Sequence, residues 1–430
     1  MLVTACQNGK GFMKKSIILV TGDFPFGNAE ESFLRTEFME LIKHDQVTIL
    51  TRETDEQLLY PVPEGVRVVR YSQQSNHGLR LIQRIPVLVK LLLRQYVRQE
   101  FKSALHGCSA GCKMARMREL LAYVLQTEQL KEVLEPLIRE TNADLIYSYW
   151  CYPMVLTAAE LKQKYPHLKV ITRFHGVDLY KERTKYGWQP FRAAISEKCD
   201  RLVFACDAGR AYYLSQWGQK WATKSVVSYL GCPSAEPLTV TLSKPLQLVS
   251  CSNLIPLKRV DLLVDALAIL PKTLEVCWHH IGDGPERERL MILAKEKLGE
   301  NVRWEFCGAL PNEKVFAVYR QIGAQLFLTA SATEGGVPVS LQECAAMGIP
   351  CIGTAVGGIP EIIADGKTGY LLPADATAEQ IRDAIVRFHE LTVDDRLRMH
   401  NQIRELWQEQ FDARANARGF VQMVQELLVP

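Results

Sequence analysis

Between Glu334 and Gly369 the chain reads EGGVPVSLQECAAMGIPCIGTAVGGIPEIIADGKTG, whose first part brings the carboxylates of Glu334 and Glu343, the pair Gly335-Gly336 and a helix start together. An apolar run ends near Leu328, the turn Glu334-Gly335-Gly336 follows, and Ser340 to Met347 carries a helical pattern. Backbone N–H groups at such a strand, turn and helix junction face an anion without needing a cation, and Gly335, Gly336, Val337 and Ser340 lie where they would be supplied. Glu334 and Glu343 stand beside them, and ionised carboxylates accept hydrogen bonds from hydroxyls. Together these parts suit a nucleoside diphosphate and its attached sugar.

A second group surrounds Cys251, where LVSCSNLIPLKRVDLLVDAL runs from a strand through a turn into a helix opened by Lys258 and Arg259. Two cations beside free N–H groups would offset the charge of a departing pyrophosphate. In the first half, TRFHGVDLYKER sets Arg173, His175, Gly176 and Asp178 just after a strand, at the end where doubly wound folds bind ligands. An imidazole and a carboxylate there can bond sugar hydroxyls or position an acceptor. The first turn, TGDFPFGNAEESF, offers Gly22 and Gly27 ahead of a helix expected from about Ala29, so its backbone could meet acceptor or phosphate. His279 and His280 fall inside an apolar strand and read as structural. His106, Cys108 and Cys112 are close in sequence, but three ligands without a clear fourth make a poor structural zinc site, and no metal is expected.

These residues need a frame, and the pattern supplies one. Short β-like runs alternate with helical segments almost throughout, which argues for an α/β fold of parallel sheets covered on both faces. Strands are expected near 16–21, 46–50, 66–70, 145–148, 169–173, 201–205 and 225–229, and then near 246–251, 275–281, 302–306, 325–328 and 351–353. Two doubly wound, Rossmann-like domains result, facing each other across a crevice. Residues 14–235 form the first, acceptor domain, with a helical insertion at about 79–140, and residues 246–412 form the second, nucleotide-sugar domain. The Pro-, Ser- and Thr-rich segment 236–245 is expected as the hinge. Residues 413–430 are expected as a helix that packs back across it. Residues 1–13 lack the basic start and apolar centre of a secretory signal and are expected to be disordered.

With 430 residues and ordinary globular composition, no apolar run long enough to cross a bilayer stands out. Cysteines scattered through apolar runs behave as small buried hydrophobes of a reducing cytosol. One region is unusual. From Arg80 to Arg118 nine basic residues face one acid, a local charge of +8 in a chain whose total is only +3. Lys90, Arg94, Arg98 and Lys102 recur every four residues, so one helix face would carry them. A solvated face is the ordinary outcome; docking on an anionic membrane or a lipid-phosphate acceptor is the alternative. No aromatic interleaving or nucleic-acid motif accompanies the charge.

The motifs named above, with IGDGPERERL, VRWEFCGALPNEKV and AVGGIPEIIADGKTGYLLP, resemble those of a retaining glycosyltransferase of family 4 with the two-domain GT-B fold, and the likeness runs from about Met13 onward. The resemblance implies a hexosyltransferase-type enzyme that moves a sugar from a nucleotide diphosphate to a hydroxyl acceptor, keeps the anomeric configuration and requires no metal or other cofactor. It also implies a cytoplasmic setting, peripheral at the inner face of the cell membrane, and a lipid-linked glycan acceptor in surface polysaccharide synthesis. Residue by residue, Lys258 matches the basic group on the diphosphate and Glu343 the carboxylate on the ribose. Glu334 matches the acid on the donor sugar, His175 the histidine facing it, and Phe306 to Leu310, including Gly308 and Leu310, the loop beside the base. Two positions depart from the pattern. Asn253 stands where the family has an arginine, leaving Arg259 as the candidate second cation, and Glu334 and Glu343 are nine rather than eight positions apart. Three further readings are a nucleotide-sugar epimerase of the same fold, a non-catalytic sugar-nucleotide-binding homologue, and, from Gly282-Asp283-Gly284, an NAD-dependent oxidoreductase whose G-x-G-x-x-G is incomplete.

Overall fold

The computed structural model describes residues 14–27, 30–54, 57–72, 94–107 and 109–429. The expectations for residues 1–13, for Arg80, Arg84 and Lys90, and for Cys108 lie outside them.

Seven strands form the first sheet: β1 Ser16–Val20, β2 Gln46–Arg52, β3 Arg67–Tyr71, β4 Leu145–Ser148, β5 Lys169–Phe174, β6 Arg201–Phe204 and β7 Ser225–Val227. Six form the second: β8 Leu246–Cys251, β9 Val276–Ile281, β10 Val302–Gly308, β11 Leu326–Leu328, β12 Cys351–Thr354 and β13 Gly369–Leu372. Their orders are β3-β2-β1-β4-β5-β6-β7 and β10-β9-β8-β11-β12-β13, and every pairing between them is parallel. Only β13 was not expected. It is four residues long and opens on a glycine, too short for an alternating pattern to register.

Runs such as SIILV in β1 are apolar at every position because both faces are covered. Ile18, Val20, Ile146 and Val170 point into one layer of the first domain, while Ile17, Leu19, Leu145 and Ile171 point into the other. The progression of strand order reverses between β1 and β4 in the first sheet and between β8 and β11 in the second. At these switch points the loops diverge and leave a crevice beyond the carboxyl ends of the strands.

The crossing between domains lies earlier than expected. Cys232 donates its backbone N–H to Phe411 (2.9 Å), and Ala413 donates to Cys232 (3.1 Å), so outgoing and returning chain run side by side there. The segment 236–245, expected as the hinge, is tied instead to the second domain: Leu238 donates to the Met347 carbonyl, and Gln325 donates to the Thr241 carbonyl.

Beyond the crossing, the helix Ala413–Leu428 buries Phe420, Val421, Val424 and Leu428 in the same layer as Ile17, Leu19 and Phe24. Phe420 lies against Tyr147, with ring centroids 4.9 Å apart. The last helix in sequence thus completes the first domain. Replacing Phe420 with Ala should cost about 3–5 kcal/mol, and urea unfolding followed by fluorescence should show the loss in the first domain rather than the second.

The basic insertion folds as helices Gln95–Ala104 and Ala110–Thr141, and its charges are not one free face. Arg94 binds Glu160 and lies 3.0 Å from Glu128, because its position before the first helix turns it inward. Arg116 donates to the carbonyls of Tyr186 (2.7 Å) and His106 (3.0 Å). Arg98 and Lys102 remain exposed.

Candidate active site

A cavity of about 620 Å³ opens between the carboxyl ends of the two sheets. The first domain lines it with Tyr149, Trp150, His175 and Gly176, which follow β4 and β5, and the second with Asn253, Lys258 and the run from Glu334 to Ser340. Glu343 closes it, and across Glu343, Asn312 and Val339 it meets a second cavity of about 790 Å³ lined by Tyr60, Ala309 and Leu310. The groups predicted to hold diphosphate, ribose and base therefore surround one continuous space.

Lys258 ends a short 3₁₀ turn, and Arg259 follows with φ 49°. That left-handed residue sends the two side chains apart. Lys258 enters the cavity and binds a Glu334 carboxylate oxygen at 2.5 Å. Arg259 turns away and donates to the carbonyls of Ala374 (3.3 Å) and Ala376 (3.1 Å). The expectation that Arg259 replaces the missing arginine is corrected: its guanidinium fastens the following helix to the 374–376 loop. Asn253 does line the cavity.

Helix Val339–Met347 has Pro338 at its N-cap and no side-chain cap. Proline lacks an N–H, and the first helical N–H groups are left for a ligand. Glu343 sits one turn in, 6 % exposed, and makes no hydrogen bond to the described residues. Burial alone pushes its carboxyl up to about 8. The helix also places Gln342 inward; its Nε2 donates to Val337 (2.9 Å), while its Oε1 has no partner.

On the opposite wall, His175 Nε2 lies 3.0 Å from the Tyr149 carbonyl. A carbonyl only accepts, so Nε2 carries the proton. Burial, reinforced by Arg173, lowers the imidazole to about 3, and the ring is neutral at ordinary pH. It faces the cavity beside Trp150, with centroids 4.3 Å apart.

Several expected contacts turn out to be internal supports. Asp178 does not meet a sugar: it accepts the backbone N–H groups of His175 (2.6 Å) and Cys151 (2.7 Å), one on each oxygen. Arg173 is fully buried and donates to Tyr147 (2.7 Å), Ser228 (2.7 Å) and Glu37. Gly27 does not line the cavity; a β-carbon there would meet the Asp23 side chain. The anion-binding turn at Gly22 exists, but the Glu30 carboxylate fills it, accepting N–H groups from Gly22 (2.8 Å), Asp23 (3.0 Å) and Phe24 (2.9 Å) and the Trp150 indole. Gly308 lies outside the lining and accepts from Gly282 (2.8 Å). Nor does Gly282 cradle a dinucleotide. With φ 138°, its α-carbon presses on the Ser252 carbonyl, and a β-carbon would come within 1.9 Å of that oxygen.

Trp150 and Tyr149 went unnoticed in the sequence. The signal was their place directly after β4, beside the switch point. Arg183 was also missed; it donates across the crevice to Thr333 (3.0 Å).

Comparison with known proteins agrees with this frame. Residues 239–406 match the family of glycosyl transferases group 1. WcaL of Escherichia coli, described as a colanic acid biosynthesis glycosyltransferase, is 26 % identical over 283 residues, 64 % of this chain and 69 % of that one. Among solved structures, sucrose-phosphate synthase from Thermosynechococcus elongatus superposes with a TM-score of 0.69 at 18 % identity, over 96 % of this chain and 99 % of that one. HepE of Anabaena in complex with UDP does so with a TM-score of 0.63 at 14 % identity, over 96 % and 100 %.

The raised Glu343 carboxyl has a measurable consequence. Its folded-state value lies above the ordinary carboxylate value, so the folded chain holds a proton that the unfolded chain has released. Stability from this group is therefore lost as pH rises from the ordinary carboxylate range through about 8. Thermal melts from pH 5 to 8.5 should show that decline, and Glu343→Gln should flatten it. Residues 239–406, which match the family of glycosyl transferases group 1, lie in a GT-B frame of two parallel sheets.

Proposed function

We propose that this chain is a retaining glycosyltransferase that moves a sugar from a nucleoside diphosphate to a hydroxyl of a lipid-linked glycan in bacterial surface polysaccharide synthesis. The observation that carries the reading is the Lys258 ammonium in a cavity shared with an uncapped helix N-terminus and the Glu343 carboxyl. The first two suit a diphosphate, and the third suits ribose hydroxyls. The base would lie beside Ala309 and Leu310. WcaL, assigned to colanic acid synthesis, supports a polysaccharide product.

In this reading the donor sugar lies between Glu334 and the His175 wall. The bond from the anomeric carbon to the phosphate oxygen breaks while the acceptor oxygen bonds to the same face, which retains configuration. The acceptor proton passes to the departing phosphate oxygen. Lys258 and the helix N–H groups stabilise the charge that develops there, so the reaction requires no metal. His175, neutral with Nε2 engaged, shapes the sugar pocket rather than donating a proton. We place the protein at the cytoplasmic face of the membrane, with exposed Arg98 and Lys102 toward anionic lipid. Among the described residues no helix is long and apolar enough to cross it.

Glu334 holds Lys258 before any donor arrives, so the diphosphate must compete for the ammonium. Glu334→Gln should therefore bind free nucleoside diphosphate more tightly, by roughly 1 kcal/mol or about fivefold, while slowing transfer. Lys258→Ala should weaken binding by roughly 10–100-fold, the value of a charge-assisted hydrogen bond. Calorimetry on both variants with a panel of nucleotides checks this. Equal affinity for the wild type and Lys258→Ala would remove the basis of the reading. Release of nucleoside diphosphate only when acceptor is present would separate transfer from epimerisation.

A further inference from the structure

Strands β9 and β10 form the edge of the second sheet, and their outer face carries chemistry that the transfer reaction does not use. Parallel pairing sets His279 directly opposite Glu305. Trp278 and Phe306 point to the buried face on the other side, so His279 and Glu305 leave the sheet together. The register then slips between Phe306 and Gly308, making Cys307 an extra residue in the strand. Such bulges re-aim a side chain, and this one brings the Cys307 thiol to the same place. The three ligand atoms lie within 4.8 Å of one another, with His279 Nδ1 3.4 Å from a Glu305 oxygen.

We propose that His279, Glu305 and Cys307 form a binding site for a divalent transition-metal ion of the zinc class. A tetrahedral ion with bonds of about 2.0–2.3 Å holds its ligand atoms roughly 3.3–3.7 Å apart. The His279–Glu305 separation already falls in that range, and a small rotation of Cys307 completes the set. One thiolate and one carboxylate offset the dication, and the imidazole supplies the third, neutral ligand. The fourth position is open to water. Cys277 Sγ lies 3.3 Å from His279 Nε2; with the proton on Nε2 directed at that sulfur, Nδ1 presents the lone pair a metal ion needs. Glu305 is exposed while His279 and Cys307 are half-buried, so an ion has a path in from solvent. Cys307 leads directly into Ala309 and Leu310, which line the cavity beside Glu343. A bound ion would stiffen that approach without entering the reaction.

Titration of the reduced, metal-free full chain with Co²⁺ tests the site. The expected result is a thiolate-to-cobalt charge-transfer band in the near ultraviolet, together with ligand-field bands of four-coordinate strength, both displaced by Zn²⁺. Cys307→Ser should abolish the charge-transfer band. Glu305→Gln, at an exposed position that leaves the fold intact, should weaken affinity by at least about tenfold. No charge-transfer band in the wild type would overturn the proposal. So would wild-type binding in Cys307→Ser and Glu305→Gln, which would assign the ion to other cysteines and leave His279 and Glu305 as a simple surface pair.

Discussion

The crevice depends on keeping one ammonium in position with no ligand present. Lys258 is part-buried between two lobes, and a charge taken out of water there needs a partner. Glu334 provides it across the second sheet's switch point, from the loop after β11 to the loop after β8. The pair therefore fixes two loops at once. The two charges of the pair offset each other, and burial raises the Glu343 carboxyl nearby. Under the proposed function, an arriving diphosphate would meet a cation already in place and compete with one carboxylate for it.

The facing wall is stiffened by the same logic with different parts. Each buried carboxylate there has its own donors: Glu37 has Arg173, Glu30 has three backbone N–H groups, and Asp178 has two more. None of these groups reaches the cavity. They hold the residues that do, since Glu30 also takes the Trp150 indole and Asp178 fixes the backbone of His175. Polar residues clustered at strand ends thus divide into those that meet a ligand and those that hold the first kind still.

That division marks the limit of what could be read from the sequence. Hydrophobic periodicity located twelve strands, distributed over both sheets, because strands buried on two faces are apolar throughout. Lys258, Glu334 and Glu343 were legible because each sits at a strand, turn and helix junction. The fates of Arg173, Asp178 and Arg259 were not. Their roles depend on partners far along the chain, such as Glu37 for Arg173, or on a single left-handed residue, as at Arg259. Local spacing carries neither kind of information. Trp150 was missed for a related reason: its importance comes from the sheet order, which places β4 beside β1.

The lobes touch through contacts that have little tolerance. Gly335 packs on Gly176 so closely that a β-carbon on Gly335 would lie 2.6 Å from the Gly176 α-carbon. The glycine at position 335 therefore has a packing role at the interface of the lobes. Beside it, Glu361 reaches from the second domain to accept the N–H groups of Asp207 (2.9 Å) and Ala208 (2.8 Å), capping the helix Asp207–Trp217 of the first. Tyr229 donates to the same carboxylate at 2.7 Å. A charged cap on a helix N-terminus is favourable in place and lost once the lobes separate. The arrangement thus stores its closure in a few directional bonds at the rim, while the crossing at Cys232 and Ala413 holds the base of the crevice. Glycine contact at the centre, a helix cap at the rim and paired chain at the base leave the cavity as the space between three points of contact.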